Sequence, residues 1–319
     1  MTGPNPAATP AAPSGAATAA STARPGSIYD LGYRRYEGPR LGRAYAIRSL
    51  VIDSFRSSYG LGRGGRAKVA PIALGAIAIL PAIIVVGALT LAARMGIQRE
   101  LEGASPISYD GYFNSISAII ALFCAAQAPE LFGRDQRHGV LALYFARALR
   151  RSDYALARLA GFDLALLALL LFPQLILFVG RVLLSTDIAG AVGEDLPKVP
   201  AILGQALIVA GLLGGLAMAV SAFTPRRAYA TAGIIALFVV PGLVASIVIQ
   251  LGSSAIGNWL VLLSSGTVLD GTNALFFGHA LPNDLFFFEL PIWWFLVAAV
   301  GEIAVSLGLV VRRFAQIAT

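Results

Sequence analysis

Apolar residues in this chain gather into six long runs, at about 69–93, 112–129, 156–180, 202–223, 229–251 and 292–311. Each is near the roughly 20 residues needed to cross ~30 Å of hydrocarbon, so each predicts a transmembrane helix. The second run is the shortest, with Gln127 and Pro129 at its predicted end. Pro81 and Pro241 sit inside the first and fifth, where a kink is tolerated if neighbouring groups satisfy the carbonyl that proline leaves free. The six-run unit is not repeated.

The polar stretches between the runs have distinct characters. Residues 1–27 are Ala, Pro, Gly, Ser and Thr with one charge, Arg24, and read as a disordered tail. Residues 28–68 are strongly basic, and within them Ile47, Leu50, Val51, Phe55 and Tyr59 recur at helical spacing with Asp53 and Arg56 opposite. A solvated basic loop is one reading of this segment. Basic residues beside an apolar stripe favour the other, an amphipathic helix lying in the cytoplasmic headgroup layer. The loop at 130–155 is basic and helix-forming, broken by Gly139, with Val140, Leu141, Leu143, Tyr144 and Ala148 in helical register and Ser152 placed to cap the third span. Residues 252–291 contain no Lys or Arg and are too long for a simple connector. Their apolar pieces predict short helices or re-entrant elements packed on the outer leaflet, and Trp259, Trp293 and Trp294 suit the interfacial belt.

Composition excludes the soluble alternatives. Hydrophobic residues are 57% of the 319, and with the 34 glycines the apolar share reaches roughly 68%, against 45–50% in a soluble domain. Cys124 is the one cysteine, so there is no disulfide framework and no cysteine metal cage. His138 and His279 are too few for a His-built zinc site, and the topology places them on opposite sides of the membrane.

The net charge of +7 orients the chain rather than suggesting nucleic acid. Ten Lys and Arg precede the first span, six lie from Arg134 to Arg158, and Arg226, Arg227, Arg312 and Arg313 flank later spans on the same side. Only Arg94, Arg99, Arg181 and Lys198 fall on the other. The bias predicts that both termini are cytoplasmic.

Candidate chemistry is sparse. No Walker A pattern occurs, and the glycine-rich GLGRGGRAKVA at 60–70 lacks a preceding strand, so it reads as a hinge into the first span. Glu302 and Asp163 are costly intramembrane carboxylates, serving either a substrate or proton route or a buried bond to a neighbouring helix. Asp163 is close enough to Arg158 to be solvated. Gly211 and Gly215 form a G-x-x-x-G, continued by Ala219, for close helix packing within one bundle or between two chains.

The segments YDLGYRRYEGPRLGR (29–43) and PELFGRDQRHGVLALYFARALRRSDYALARLAG (129–161) resemble bacterial ABC exporter permeases of the type-2 integral-membrane family. The resemblance spans nearly all of the chain after residue 27. It implies an all-α polytopic fold with a 28–68 cytoplasmic lead-in segment, a 69–319 six-span permease domain and a cytoplasmic coupling helix between spans two and three. The implied partners are a second permease chain, with a homodimer expected, two copies of a separate ATPase, and the lipid of a bacterial plasma membrane. ATP and magnesium would bind on the ATPase, with no cofactor, metal or catalytic residue in this chain. The coupling surface would comprise Arg134, Arg137, Val140, Leu141, Leu143, Tyr144, Arg147, Arg150 and Arg151, and the transport pathway Asn114, Ser117, Gln127, Ser246 and Glu302. The competing expectation is a proton- or ion-coupled carrier using Asp163 and Glu302. Such folds usually carry internal repeats, which are absent here. The substrate stays open.

Overall fold

The computed structural model describes residues 38, 41–96, 108–146, 149–185, 187–251, 259–281 and 290–317. The 1–27 tail, most of YDLGYRRYEGPR, Arg99 and Arg147 lie outside them. Among the described residues every regular element is helical. The helices are α1 (Gly42–Ser58), α2 (Gly65–Met95), α3 (Tyr109–Ser115), α4 (Ser117–Arg137), α5 (Leu141–Phe145) and α6 (Arg151–Leu184). They continue as α7 (Ile188–Phe223), α8 (Arg227–Gln250), α9 (Ser265–Phe277) and α10 (Trp293–Ala315). Five are long and apolar enough to cross a membrane. The pair α3 and α4, which meet at a 50° bend, makes a sixth if the two are counted as one span. The chain is an all-α, multi-pass membrane protein.

Helix α6 is the spine of the bundle, packing against α1, α2, α7 and α10, while α4 packs against α7 and α8. Phe123 and Phe162 stack at 6.2 Å in the core, where Tyr112, Ile120 and Leu166 are also buried. Leu80, Ile83 and Ile84 of α2 and Val239, Leu243 and Ile247 of α8 are exposed, as side chains facing hydrocarbon are.

Three sequence expectations change. The lead-in segment is helical, but α1 does more than float in headgroups: Leu50, Ser54 and Ser58 are buried on α6. The close approach is made at Gly161, where a Cβ would lie 2.6 Å from the Val51 carbonyl oxygen. The third span begins at Arg151, and its cap is Arg150, whose backbone N–H donates to the Asp153 carboxylate at 3.0 Å; Ser152 lies within the first turn. Third, the helix of the second run does not stop at Gln127 and Pro129. Helix α4 continues to Arg137, absorbing the first part of the expected loop.

The reason α4 survives Pro129 is a hydroxyl from another helix. Proline has no N–H to offer the carbonyl four residues back, which here belongs to Ala125. Thr231 Oγ1 of α8 donates to that oxygen at 2.9 Å. Thr231→Val is therefore expected to lower stability by about 1 kcal/mol, read as a lower melting temperature in detergent. Adding Pro129→Ala should return most of the loss, because the new N–H takes the orphaned carbonyl. Equal effects of Thr231→Val with and without the second change would exclude this account.

The G-x-x-x-G on α7 packs inside the bundle. A Cβ on Gly211 would sit 3.2 Å from Ile303, and one on Gly215 would collide with Ser306, both on α10. A π-helical turn at Ala210–Gly214 lies in the same stretch, and Gly214 faces Asp163 of α6. In the described part of the segment before α10, Ser264 lies against Gly242 within α8, and α9 packs on α10, α7 and α8.

Candidate functional site

The long helices gather most of the described basic residues at one end of the bundle. Within that end α4 finishes at Arg137, and Gly139 at φ +64° reverses the chain. The N–H of Val140 donates to the Asp135 carbonyl and that of Gly139 to the Gln136 carbonyl, the paired bonds that close a helix at a left-handed residue. The five-residue α5 follows at once.

Below α5 lies Arg158, 4% exposed although fully charged. Its Nη2 donates to Asp135 Oδ2 at 2.6 Å and to the Tyr144 hydroxyl at 3.1 Å. Its Nη1 donates to Asp53 Oδ2 at 2.9 Å and to Ser54 Oγ at 3.3 Å. The Tyr154 hydroxyl donates to the same Asp135 oxygen at 2.6 Å. One planar guanidinium thus joins α1, α4, α5 and α6, a task that suits the fixed fork of arginine and not the point charge of lysine. Two further clamps surround it. Glu130 takes Arg63 at 3.2 Å and Arg227 at 2.9 Å, and Asp153 receives Arg43 through two bonds of 2.7 and 2.6 Å.

The aromatic layer reinforces these bonds. Tyr154 is buried between Tyr144, Phe145, Phe132 and Phe314, with ring centres 5.2–6.1 Å apart. Burial raises the Tyr144 hydroxyl above its ordinary range, against the opposing pull of Arg158, and pushes Tyr59 up to about 12. Burial lowers Arg63, and Glu130 opposes that shift. At pH 7 these tyrosines are neutral and serve as hydrogen-bond donors and acceptors.

A cleft of about 990 Å³ opens between α1, the turn at 59–64, the end of α4 and α5. Arg134, Asp135, His138, Val140, Leu143 and Tyr144 are among its walls. The expected apolar face of α5 divides. Leu141, Tyr144 and Phe145 are spaced i, i+3, i+4 and turn inward, with Leu141 in the core. Leu143 falls outside that stripe and is 70% exposed. Arg151 Nη1 is bonded to the Ala315 carbonyl at 3.1 Å, Arg150 caps α6, and Arg137 is exposed at the end of α4.

The expected pathway residues separate. Asn114 and Ser117 line a second cavity of about 260 Å³, at the α3–α4 bend and toward the opposite end of the bundle. Gln127 is buried farther along α4, and Ser246 is on an exposed face of α8 with its hydroxyl donating to the Leu243 carbonyl. Neither lines this cavity. Glu302 Oε2 lies 3.5 Å from Ser265 Oγ at the start of α9, while Asp163 faces Gly214. His138 borders the basic cleft, whereas His279 pairs with Asp110 at 3.1 Å at the other end.

Sequence reasoning gave no role to Glu130, Asp135 and Asp153, placed Asp53 only on the polar side of the 47–59 stripe, and used Arg158 as an orienting charge near Asp163 and not as the partner of these acids. Their signal was present as isolated carboxylates set among arginines, which pattern alone could not pair. Neither a protein-family model nor a curated protein matches the chain.

Proposed function

We propose that the chain is the permease subunit of an ATP-binding-cassette exporter in a bacterial plasma membrane, with both termini in the cytoplasm. It pairs with a second permease chain and with two copies of a separate ATPase that binds ATP and magnesium. The observation that carries this reading is the build of α5. Its inner face is fastened to α1, α4, α6 and α10 through Arg158 and the aromatic layer, and its outer face presents Leu143 beside a charged cleft. A push on Leu143 would reach four helices at once, which is what a subunit driven from outside requires. The chain carries no Walker A motif of its own.

The test is Leu143→Asp. Burying a leucine side chain in a partner's groove is worth about 1.5–3 kcal/mol, and a carboxylate there reverses that gain. Since Leu143 is exposed in this chain, the variant should insert and melt as the parent does while losing its ATPase in co-purification and losing ATP-driven transport. Leu143→Met should keep both. An Asp variant that holds its ATPase as tightly as the parent overturns the assignment.

A second reading is a proton- or ion-coupled carrier. It is favoured by Asp163 Oδ1 and Glu302 Oε1, both buried without a hydrogen-bond partner. It requires transport by the chain alone that collapses when a protonophore removes the gradient.

A further inference from the structure

The large cleft beside α5 holds more hydrogen-bond donors than acceptors, and the proposed coupling uses only Leu143 at its edge. Arg158 takes Asp135 and Asp53, and Glu130 takes Arg63 and Arg227. Those bonds commit every acid that lines the cleft. Arg134 lines it too, with an exposed guanidinium for which no acid remains among the described residues.

The surplus shows in three further ways. Arg63 and Arg158 each keep a buried Nε–H with no acceptor, and Arg158 is 4% exposed. Burial lowers the Arg63 pKa, and the charges of Arg134, Arg158 and Arg227 lower it further, against Glu130. The turn at 59–64 leads into α2, whose first turn has neither a capping side chain nor an acid, so its positive end is unanswered.

The cleft also lies at headgroup depth. On α1, Leu41, Tyr45 and Ile52 are exposed beside Arg48 and Arg56, the mixed face of a helix at a lipid surface. Tyr45 belongs to that face and to the cleft wall at once. Soon after Arg63, Val69 and Ile72 of α2 are exposed as hydrocarbon-facing residues are. Leu61, Leu131, Val140 and Leu149 give the cleft apolar walls.

We propose that the cleft is a binding site for an anionic phospholipid, its phosphate at Arg134 and Arg63 and the first methylenes of its chains against Leu61, Leu131 and Val140. A phosphate brings negative charge and acceptor oxygens, which is what the leftover guanidinium and unused donors lack. A volume of about 990 Å³ accommodates a headgroup, its glycerol and the start of the chains. The bound lipid lies between α1 and α5, next to Leu143. The site stands apart from the exporter reading, since it needs no ATPase.

The experiment uses the full chain in a neutral maltoside detergent, without an ATPase, and counts bound lipid by native mass spectrometry. Three dioctanoyl probes share the same chains: phosphatidylglycerol, diacylglycerol and a trimethylammonium-propane cation. The anion should bind at least about tenfold more tightly than diacylglycerol, the scale of a charge-assisted hydrogen bond, and the cation most weakly. Arg134→Gln should bring the anion to within about threefold of diacylglycerol. Arg48→Gln, at an exposed position outside the cleft, should leave the anion's affinity unchanged. Ser49→Trp, at an exposed position on the cleft wall, should plug the site and remove anion binding. Inorganic phosphate, compared with chloride at equal ionic strength, should leave the lipid in place. Detergent melting checks that each variant is folded. The proposal is overturned if a folded wild type binds no probe or binds diacylglycerol as tightly as the anion. It is equally overturned if Arg48→Gln weakens the anion as much as Arg134→Gln does, if anion binding survives a folded Ser49→Trp, or if inorganic phosphate displaces the lipid.

Discussion

Arg158→Met is expected to destabilise the protein by about 3–5 kcal/mol, the cost of leaving a buried ionic partner uncompensated. The stranded group is Asp135, 8% exposed, which would retain only the Tyr154 hydroxyl among its present partners. Asp53 contributes little to the loss because its side chain is 59% exposed and water replaces the arginine. The measurement is detergent melting together with chemical unfolding followed by tryptophan fluorescence. The sharper test is the double variant Arg158→Met with Asp135→Leu. Removing both charges should recover a large part of the loss, since a paired buried charge is often replaceable by apolar packing while half a pair is not. Strictly additive losses would mean that the two side chains are not coupled.

Gly161→Leu should separate α1 from α6. A Cβ at this position would overlap Ser54 and lie 2.6 Å from the Val51 carbonyl oxygen and 3.2 Å from the Phe55 nitrogen. Two of these three are backbone atoms of α1, so no rotamer change makes room and the helix itself must shift. Overpacking of this kind costs about 1–3 kcal/mol. Because α1 joins the bundle along one face, the cost should appear as local detachment rather than global unfolding. The readout is limited trypsin digestion. Arg63, in the turn after α1, is 14% exposed and tied to Glu130, so cleavage there needs the turn to open. The variant should be cut at trypsin levels that leave the parent intact, and Gly161→Ala should fall between. An unchanged digestion pattern would show that α1 is held chiefly by its ion pairs. If the exporter reading holds, this variant should also lose coupling, since α1 supplies one wall of the cleft beside Leu143.

Much of the architecture could be read from apolar run length because the membrane imposes a local rule. A residue in hydrocarbon must satisfy its backbone within its own helix, so each span announces itself over about 20 consecutive positions. The bent second span shows where that rule gives out. Gln127, Pro129 and the charges beyond them signal an end, and nothing within α4 says that a hydroxyl from α8 will carry the helix past the proline. The candidate site was legible to a similar depth. Asn114 and Ser117 line one cavity as polar residues near a span terminus, while Gln127, Ser246 and Glu302 do not join them. In α5 the spacing identified a helix but grouped Leu143 with Leu141 and Tyr144 on one face, whereas Leu141 and Tyr144 turn inward and Leu143 outward, because a five-residue segment is too short for periodicity to choose its inner face.

By itself the amino-acid order determined the all-helical, multi-pass character, the approximate position of the spans, the helical nature of α1 and the break at Gly139. Each follows from forces acting within a few turns of chain: hydrophobic thickness, helical periodicity and backbone geometry. Only the tertiary structure decided which charges are partners. Arg158 reaches Asp53 across 105 positions and Asp135 across 23. Thr231 reaches the Ala125 carbonyl that Pro129 leaves open across 106 positions, and the Gln205 amide is fixed by a carbonyl 64 positions on. It also decided that Gly211 and Gly215 face α10 of the same chain. Such contacts depend on which helix faces lie together, and a sequence of apolar spans leaves those faces nearly equivalent, since lipid solvates a leucine as well as a neighbouring helix does. Steric fit at small residues and scarce polar groups that need partners break the equivalence, and both act only once the helices are side by side.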